Sequence, residues 1–213
     1  MTHPFVQTRT PIAFAHRGGA SDAPENTMPA FQRAMDLGYR YIETDVHATK
    51  DGVLLAFHDD DLLRTCGKPG VISEMDYDDV RKFRINGQEP IPLMQEIFDA
   101  WPDAMVNIDC KADTALMPLV SSLRGPGILE RVCVGSFSDK RLATLRNIFG
   151  PALCTSLGPR EVAKLRVRSW VGQPRSFPGA YAAQVPHRQG PLDRKSTRLN
   201  SSHVPLSRMP SSA

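Results

Sequence analysis

Glu43 and Asp45 stand two residues apart in an otherwise apolar run, Tyr-Ile-Glu-Thr-Asp-Val at 41–46. In an extended strand that spacing sends both carboxylates to one face. Two such acids are costly to bury unless a cation compensates them. Hard oxygen donors in a pair suit Mg²⁺ or Ca²⁺ better than a soft metal. Taken alone, the pair also fits solvent exposure or an Arg or Lys partner. Asp109 and Lys111 repeat the geometry in Val-Asn-Ile-Asp-Cys-Lys at 106–111. There the acid could add a third carboxylate and the ammonium could hold a phosphate, and the plainer reading is an internal ion pair. His16-Arg17-Gly18-Gly19 adds a titratable imidazole, a guanidinium able to grip phosphate bidentately, and glycines that let the backbone approach a ligand closely. His58, closing Leu-Leu-Ala-Phe-His at 54–58, is a second imidazole of the same kind, and His47 shares the face of Asp45, where it could be a ligand but is expected behind these groups or at their rim. Together, two histidines, three acids, an Arg and a Lys are what metal-assisted phosphodiester cleavage requires. Cations neutralise charge on the phosphoryl group, one histidine deprotonates the nucleophile, and the other protonates the leaving oxygen.

Elements able to position these groups alternate along the chain. Apolar runs at 12–15 and 41–46 read as strands separated by a helix that Asn26 or Thr27 caps and Gly38 stops, with Phe31, Ala34, Met35 and Leu37 facing inward. An extended run at 53–57 follows a Lys-Asp-Gly turn. Residues 59–90 are polar and irregular, with a small helix at 77–83. A helix at 93–101 and a strand at 104–110 come next. The segments 115–124, 131–136, 139–149, 152–157, 159–168 and 180–185 continue as helix, strand, helix, strand, helix, strand. Such alternation argues for a parallel sheet with crossover helices, in about six units. His16, Asp45, His58, Asp109 and Lys111 fall at or near the C-terminal ends of extended runs, where both open α/β sheets and α/β barrels place their sites.

Composition narrows the classes. At 213 residues the chain is short for an eight-fold barrel of about 250 residues. The net charge of +3 belongs to the tail: residues 194–213 carry four basic and no acidic side chains, and the rest holds 22 basic against 23 acidic. A nucleic-acid surface is therefore not expected. The four cysteines form no C-x-x-C pair and read as structural thiols in a reducing compartment. Neither a signal peptide nor a membrane anchor is expected, which points to the cytoplasm.

Several segments, taken in order, resemble the glycerophosphodiester phosphodiesterase family: A-H-R-G-G at 15–19 with P-E-N-T at 24–27, I-E-T-D-V with T-K-D-G across 42–52, F-H-D-D-D-L-L-R-T at 57–65, I-P-L-M-Q-E at 91–96 and N-I-D-C-K at 107–111. The likeness spans about residues 11–190. It implies a TIM-type (β/α) barrel, incomplete at about six of eight units, with residues 59–90 as the family's insertion. It implies His16 and His58 as the acid/base pair, and Glu43, Asp45 and Asp109 as ligands of Mg²⁺ or Ca²⁺. Arg17 and Lys111 would hold the phosphate. The implied reaction is hydrolysis of a small glycerophosphodiester to sn-glycerol 3-phosphate and an alcohol. A lysophospholipase D-like activity on the same fold and a non-catalytic fragment that binds metal or phosphate are the alternatives.

Two departures from the family pattern bear on this expectation. The third acid is usually Glu, and Asp109 is one methylene shorter. After 182–186 the family continues with two further strand–helix units, whereas here residues 194–213 contain six Ser and no strand period. That tail is expected to be disordered and resembles translated vector or adaptor sequence. The partial domain is therefore expected to occupy residues 1–193.

Overall fold

In the computed structural model, residues 3–8, 11–19, 23–171, 177, 179–184, 188–189 and 192–193 are described, and the 194–213 tail lies outside them. Among the described residues eleven strands appear: β1 Phe14–His16, β2 Tyr41–Ala48, β3 Leu54–Ala56, β4 Arg84–Ile85, β5 Glu89–Pro90, β6 Met105–Cys110, β7 Val132–Gly135, β8 Cys154–Ser156, β9 Ala180–Ala182, β10 Arg188–Gln189 and β11 Leu192–Asp193. The α-helices are α1 Met28–Asp36, α2 Leu63–Cys66, α3 Tyr77–Val80, α4 Met94–Ala100, α5 Leu116–Leu123, α6 Asp139–Phe149 and α7 Pro159–Val171.

Six strands run parallel in the order β1-β2-β6-β7-β8-β9, and β3 pairs antiparallel to β2. Among the described residues β9 does not return to β1, so the sheet is an α/β barrel of TIM type that stays open. The alternation expected from the sequence is present, with most boundaries shifted by one or two residues. The 53–57 run belongs to no crossover unit: it folds straight back on β2 through the turn at Lys50-Asp51-Gly52.

The strands sort their side chains into two faces. Ile42, Val46 and Ala48 on β2, Val106, Ile108 and Cys110 on β6, and Val132 and Val134 on β7 point outward. They form one buried cluster with Phe31 and Ala34 of α1, Met94, Ile97 and Phe98 of α4, Leu119, Val120 and Leu123 of α5, and Leu145 of α6. α1, α4, α5 and α6 therefore each cover the sheet with an apolar stripe. α1 is N-capped by Thr27, whose hydroxyl accepts from the Ala30 N–H. Leu37 does not face inward: it is 66% exposed. It follows the last helical residue and lies six residues, about 240° around the axis, from Phe31.

The inner face is layered by strand register. Phe14, Tyr41 and Met105 align at the N-terminal end, and His16, Glu43, Asn107, Cys133 and Cys154 align in the middle. Asp45, Asp109 and Gly135 align at the C-terminal end. Phe5, on a short 3₁₀ turn at Pro4–Val6, plugs the first layer, and its ring meets Tyr41 edge-on at 5.3 Å. The Tyr41 hydroxyl donates to the Phe5 carbonyl at 2.9 Å. One end of the interior is thus filled with apolar rings, and the other is left to polar groups. The segment 59–90 has its own small core, in which Leu62, Ile72, Val80 and Ile85 pack on Leu55, Phe57 and Ile91.

Candidate active site

Strand register explains why residues distant in sequence meet here. His16 lies beside Glu43 on the neighbouring strand, and Asp45 lies beside Asp109. All three acids are buried. The chain leaves β1 through a tight turn in which Arg17, Gly18 and Gly19 have φ of 51°, 81° and 76°. A left-handed Arg is uncommon and costs energy, so the surrounding contacts must hold it. Its N–H donates to Glu43 Oε2 at 3.1 Å, and its carbonyl accepts from the Asn26 N–H at 3.0 Å. Gly18 serves packing rather than ligand approach, because a Cβ there would stand 2.8 Å from the Ala30 Cβ on α1. Gly19 faces open space.

Two cations lie among the acids. Lys111 Nζ is 2.9 Å from Asp45 Oδ1 and 2.8 Å from Asp109 Oδ2. Arg17 Nε is 3.1 Å from Asp45 Oδ2, although its N–H is not aimed for a hydrogen bond. Asn26 Nδ2 donates to the same Asp45 oxygen at 3.3 Å, and Thr44 holds Asn26 through a 2.9 Å bond to its Oδ1. His16 Nε2 sits 3.7 Å from Glu43 Oε2, beyond hydrogen-bond range.

Electrostatics follow from burial. Burial, and next the charge of Asp45, push the Glu43 carboxyl up to about 8. Burial and the Arg17 guanidinium lower His16, so its neutral imidazole is favoured. Burial opposes the charge on Lys111, but Asp109 and Asp45 outweigh it and raise the ammonium above its usual value. His47, lowered chiefly by burial, places Nε2 3.1 Å from the His58 carbonyl oxygen and so supports the backbone beneath the second histidine. His58 itself lies beyond β3, with Nδ1 2.6 Å from Asp59 Oδ1.

The seven residues expected from the sequence therefore gather at the C-terminal end of β1, β2, β3 and β6. Glu43, Asp45, Asp109, Lys111, Arg17 and His16 form one contact set. His58 is joined to it through a chain of ion pairs that includes Glu25 and Arg64, two residues assigned no role from the sequence. Their motifs, P-E-N-T and L-L-R-T, were the available signal. The donor set matches a hard cation: the three acids supply oxygens only, and Asp109 Oδ1 is buried with no hydrogen-bond partner. Among the described residues, however, no three acidic, His or Cys side chains converge on one cation position, and Lys111 bridges Asp45 and Asp109.

The chain resembles known proteins in sequence and in fold. Residues 16–158 match the model of the glycerophosphoryl diester phosphodiesterase family. A Mycobacterium tuberculosis protein named "Probable glycerophosphodiester phosphodiesterase 2" is 40% identical over 155 residues, covering 72% of this chain and 59% of its own. A glycerophosphodiester phosphodiesterase of Caldanaerobacter subterraneus is 32% identical over 151 residues, covering 64% of this chain and 62% of its own. The chain thus spans about 60% of the length of these relatives. The crystal structure of glycerophosphodiester phosphodiesterase from Agrobacterium tumefaciens superposes with TM-score 0.64 at 26% identity, over 70% of this chain and 67% of that one. An Oleispira antarctica phosphodiesterase, solved with the product sn-glycerol-3-phosphate, shares the fold with TM-score 0.65 at 20% identity, over 82% of this chain and 74% of that one. Because that family model covers residues 16–158, well over half of the sequence, the chain belongs to the glycerophosphoryl diester phosphodiesterase family.

Proposed function

We propose that this protein hydrolyses glycerophosphodiesters to sn-glycerol 3-phosphate and an alcohol, with Mg²⁺ or Ca²⁺ as cofactor. The observation that carries the reading is the buried set Glu43, Asp45 and Asp109 beside Arg17, Lys111 and His16 at one end of the sheet. Asp109 Oδ1 is buried without a partner and Glu43 is pushed toward its neutral form, and a divalent cation would satisfy the first and favour ionisation of the second. Glu43, Asp45 and Asp109 would hold that cation, which when bound supplies charge neutralisation at the phosphoryl oxygens. Arg17 and Lys111 bring donors to the phosphate, the first as a planar fork and the second as a point charge. His16, kept neutral by burial, is suited to accept a proton, and His58 completes the acid/base pair. The four free thiols agree with a cytoplasmic setting. Among the described residues no helix is long and apolar enough to cross a membrane.

The test is product release. Incubating the chain with glycerophosphocholine and Mg²⁺ or Ca²⁺ should yield sn-glycerol 3-phosphate, and chelation should stop it. A folded chain that releases no product with either cation overturns the proposal.

A second reading, lysophospholipid as substrate, draws on the rim. Leu63, Met117 and Phe137 follow β3, β6 and β7 on the site's side of the sheet and are 58%, 58% and 78% exposed. A human lysophospholipase D is 36% identical over 123 residues, covering 51% of this chain. Faster turnover of lysophosphatidylcholine than of glycerophosphocholine would favour it.

A further inference from the structure

The two histidines are held differently, and the difference leads outward from the acids. His58 Nδ1 lies 2.6 Å from Asp59 Oδ1. Burial raises the Asp59 carboxyl, but hydrogen bonds from Arg64 and His58 outweigh that and hold it below its usual range. An ionised carboxylate only accepts, so Nδ1 must carry the proton, and in the neutral ring Nε2 is then the basic nitrogen. The second Asp59 oxygen accepts from Arg64 Nε at 2.5 Å. The same guanidinium donates through Nη2 to Glu25 Oε1 at 2.5 Å. Glu25 in turn accepts from Arg17 Nη1 at 3.1 and 3.2 Å through its two oxygens. A single side chain from the 59–90 segment thus joins the His58 loop to the turn after β1.

Arg64 is well placed for this task. It sits on α2, one turn long and closed by Gly67 at φ 68°. The next residue, Thr65, is buried, and its carbonyl accepts from the Asn86 N–H at 2.7 Å, fixing the turn to the β4–β5 hairpin. Arg64 itself is half exposed, where an isolated ion pair contributes little stability. A fork bridging two carboxylates from different loops does more for geometry than for stability.

We propose that Asp59 and Arg64 are positioning residues of this site: Asp59 fixes His58 as the Nδ1–H tautomer, and Arg64 locks Asp59 to Glu25 so that His58 and the Arg17 guanidinium keep a set separation. The assignment rests on the reading of His58 as an acid/base group and Arg17 as a phosphate holder. Orienting groups of this type change rate without touching the reacting atoms, and their loss costs about 10-fold to 100-fold in related metal-site settings.

Long-range ¹H–¹⁵N spectra of histidine-labelled protein report the tautomer without any need for turnover. The wild-type chain should show His58 as Nδ1–H, Asp59→Ala should move it to Nε2–H, and Arg64→Ala should leave a mixture. Both side chains lie outside the apolar clusters, so a melting temperature close to wild type separates lost positioning from unfolding. With glycerophosphocholine, Arg64→Ala should lower kcat about 10-fold to 100-fold and leave KM within about twofold. A wild-type His58 in the Nε2–H form, or an unchanged tautomer in Asp59→Ala, overturns the role of Asp59. A wild-type tautomer pattern in Arg64→Ala overturns the role of Arg64. A wild-type chain that shows the expected tautomers but no turnover overturns the phosphodiesterase reading, and with it the catalytic purpose of the bridge, while the hold of Asp59 and Arg64 on the His58 tautomer stands.

Discussion

The β2–β6 pair and the β8–β9 pair belong to one sheet but are built to different standards. Every residue of β2 after Tyr41 is buried, as is every residue of β6 after Met105, and the two strands align over six consecutive residue pairs. β9 is three half-buried residues long and meets β8 with a register shift between Thr155 and Ser156. α7, which leads to it, buries none of its described side chains. The chemistry follows the difference. All seven candidate residues lie on or just beyond β1, β2, β3 and β6, whose outward faces are clamped by α1, α4 and α5. From the later strands Gln184 reaches across, donating to Asn107 Oδ1 at 2.6 Å. Groups that must be held to fractions of an ångström sit on the deeply packed strands, and the later strands provide a wall.

That contrast can be broken in several ways. The largest effect should come from the chemistry itself: His16→Ala and His58→Ala are each expected to lower glycerophosphodiester turnover by about 10²–10⁴-fold. Initial rates of product release check this, and a near-wild-type rate removes that histidine from the acid/base pair. Next comes packing. Phe31→Ala, at a fully buried ring behind β2, should cost about 3–5 kcal/mol of unfolding free energy. Val167→Ala, on exposed α7, should change it by about 0.5 kcal/mol or less. Urea unfolding of both variants tests the ranking, and equal losses would refute it.

A smaller loss should follow Gly18→Ala. The new Cβ meets Ala30 at 2.8 Å and must adopt φ of 81°, a strain of about 1–3 kcal/mol. The smallest effect separates the two regions by pH. Burial raises the Glu161 carboxyl, but hydrogen bonds from Arg146 and the Gly158 N–H outweigh it and hold it below its ordinary value of 4.5. A depressed carboxylate stabilises the fold above its unfolded value and loses that contribution as pH falls through the lower folded value. Glu161→Gln should therefore melt below wild type at neutral pH. The gap should close as pH drops below about 4.5. A gap that persists or widens in acid would show that the pair contributes no such linkage.

Much of this was legible in the sequence, for identifiable reasons. Two-residue spacing in apolar runs revealed that Glu43 with Asp45, and Asp109 with Lys111, share a face, because strand periodicity is local. The 139–149 helix was readable to the residue, since Ser138 caps it and Gly150 ends it. Non-local geometry was not readable. Glu25 and Arg64 are 39 residues apart, and nothing in their spacing reveals that one guanidinium would bridge Glu25 and Asp59. Leu37 looked like a core residue by type, but the helix stops before it. The antiparallel return of β3 was likewise hidden, because an apolar run of that length does not state its partner.

If the buried acids of β2 and β6 hold a divalent cation, as proposed, the stability of the fold depends on that ion. Thermal melting of the wild-type chain and of Asp45→Asn, each with and without Mg²⁺ or Ca²⁺, tests it most directly. A ligand at 100 times its Kd adds about 2.7 kcal/mol to stability. The wild-type Tm should therefore rise with the cation, and the Asp45→Asn Tm should stay fixed. Identical wild-type melts with and without either cation, or an equal rise in both proteins, would show that these acids hold no cation.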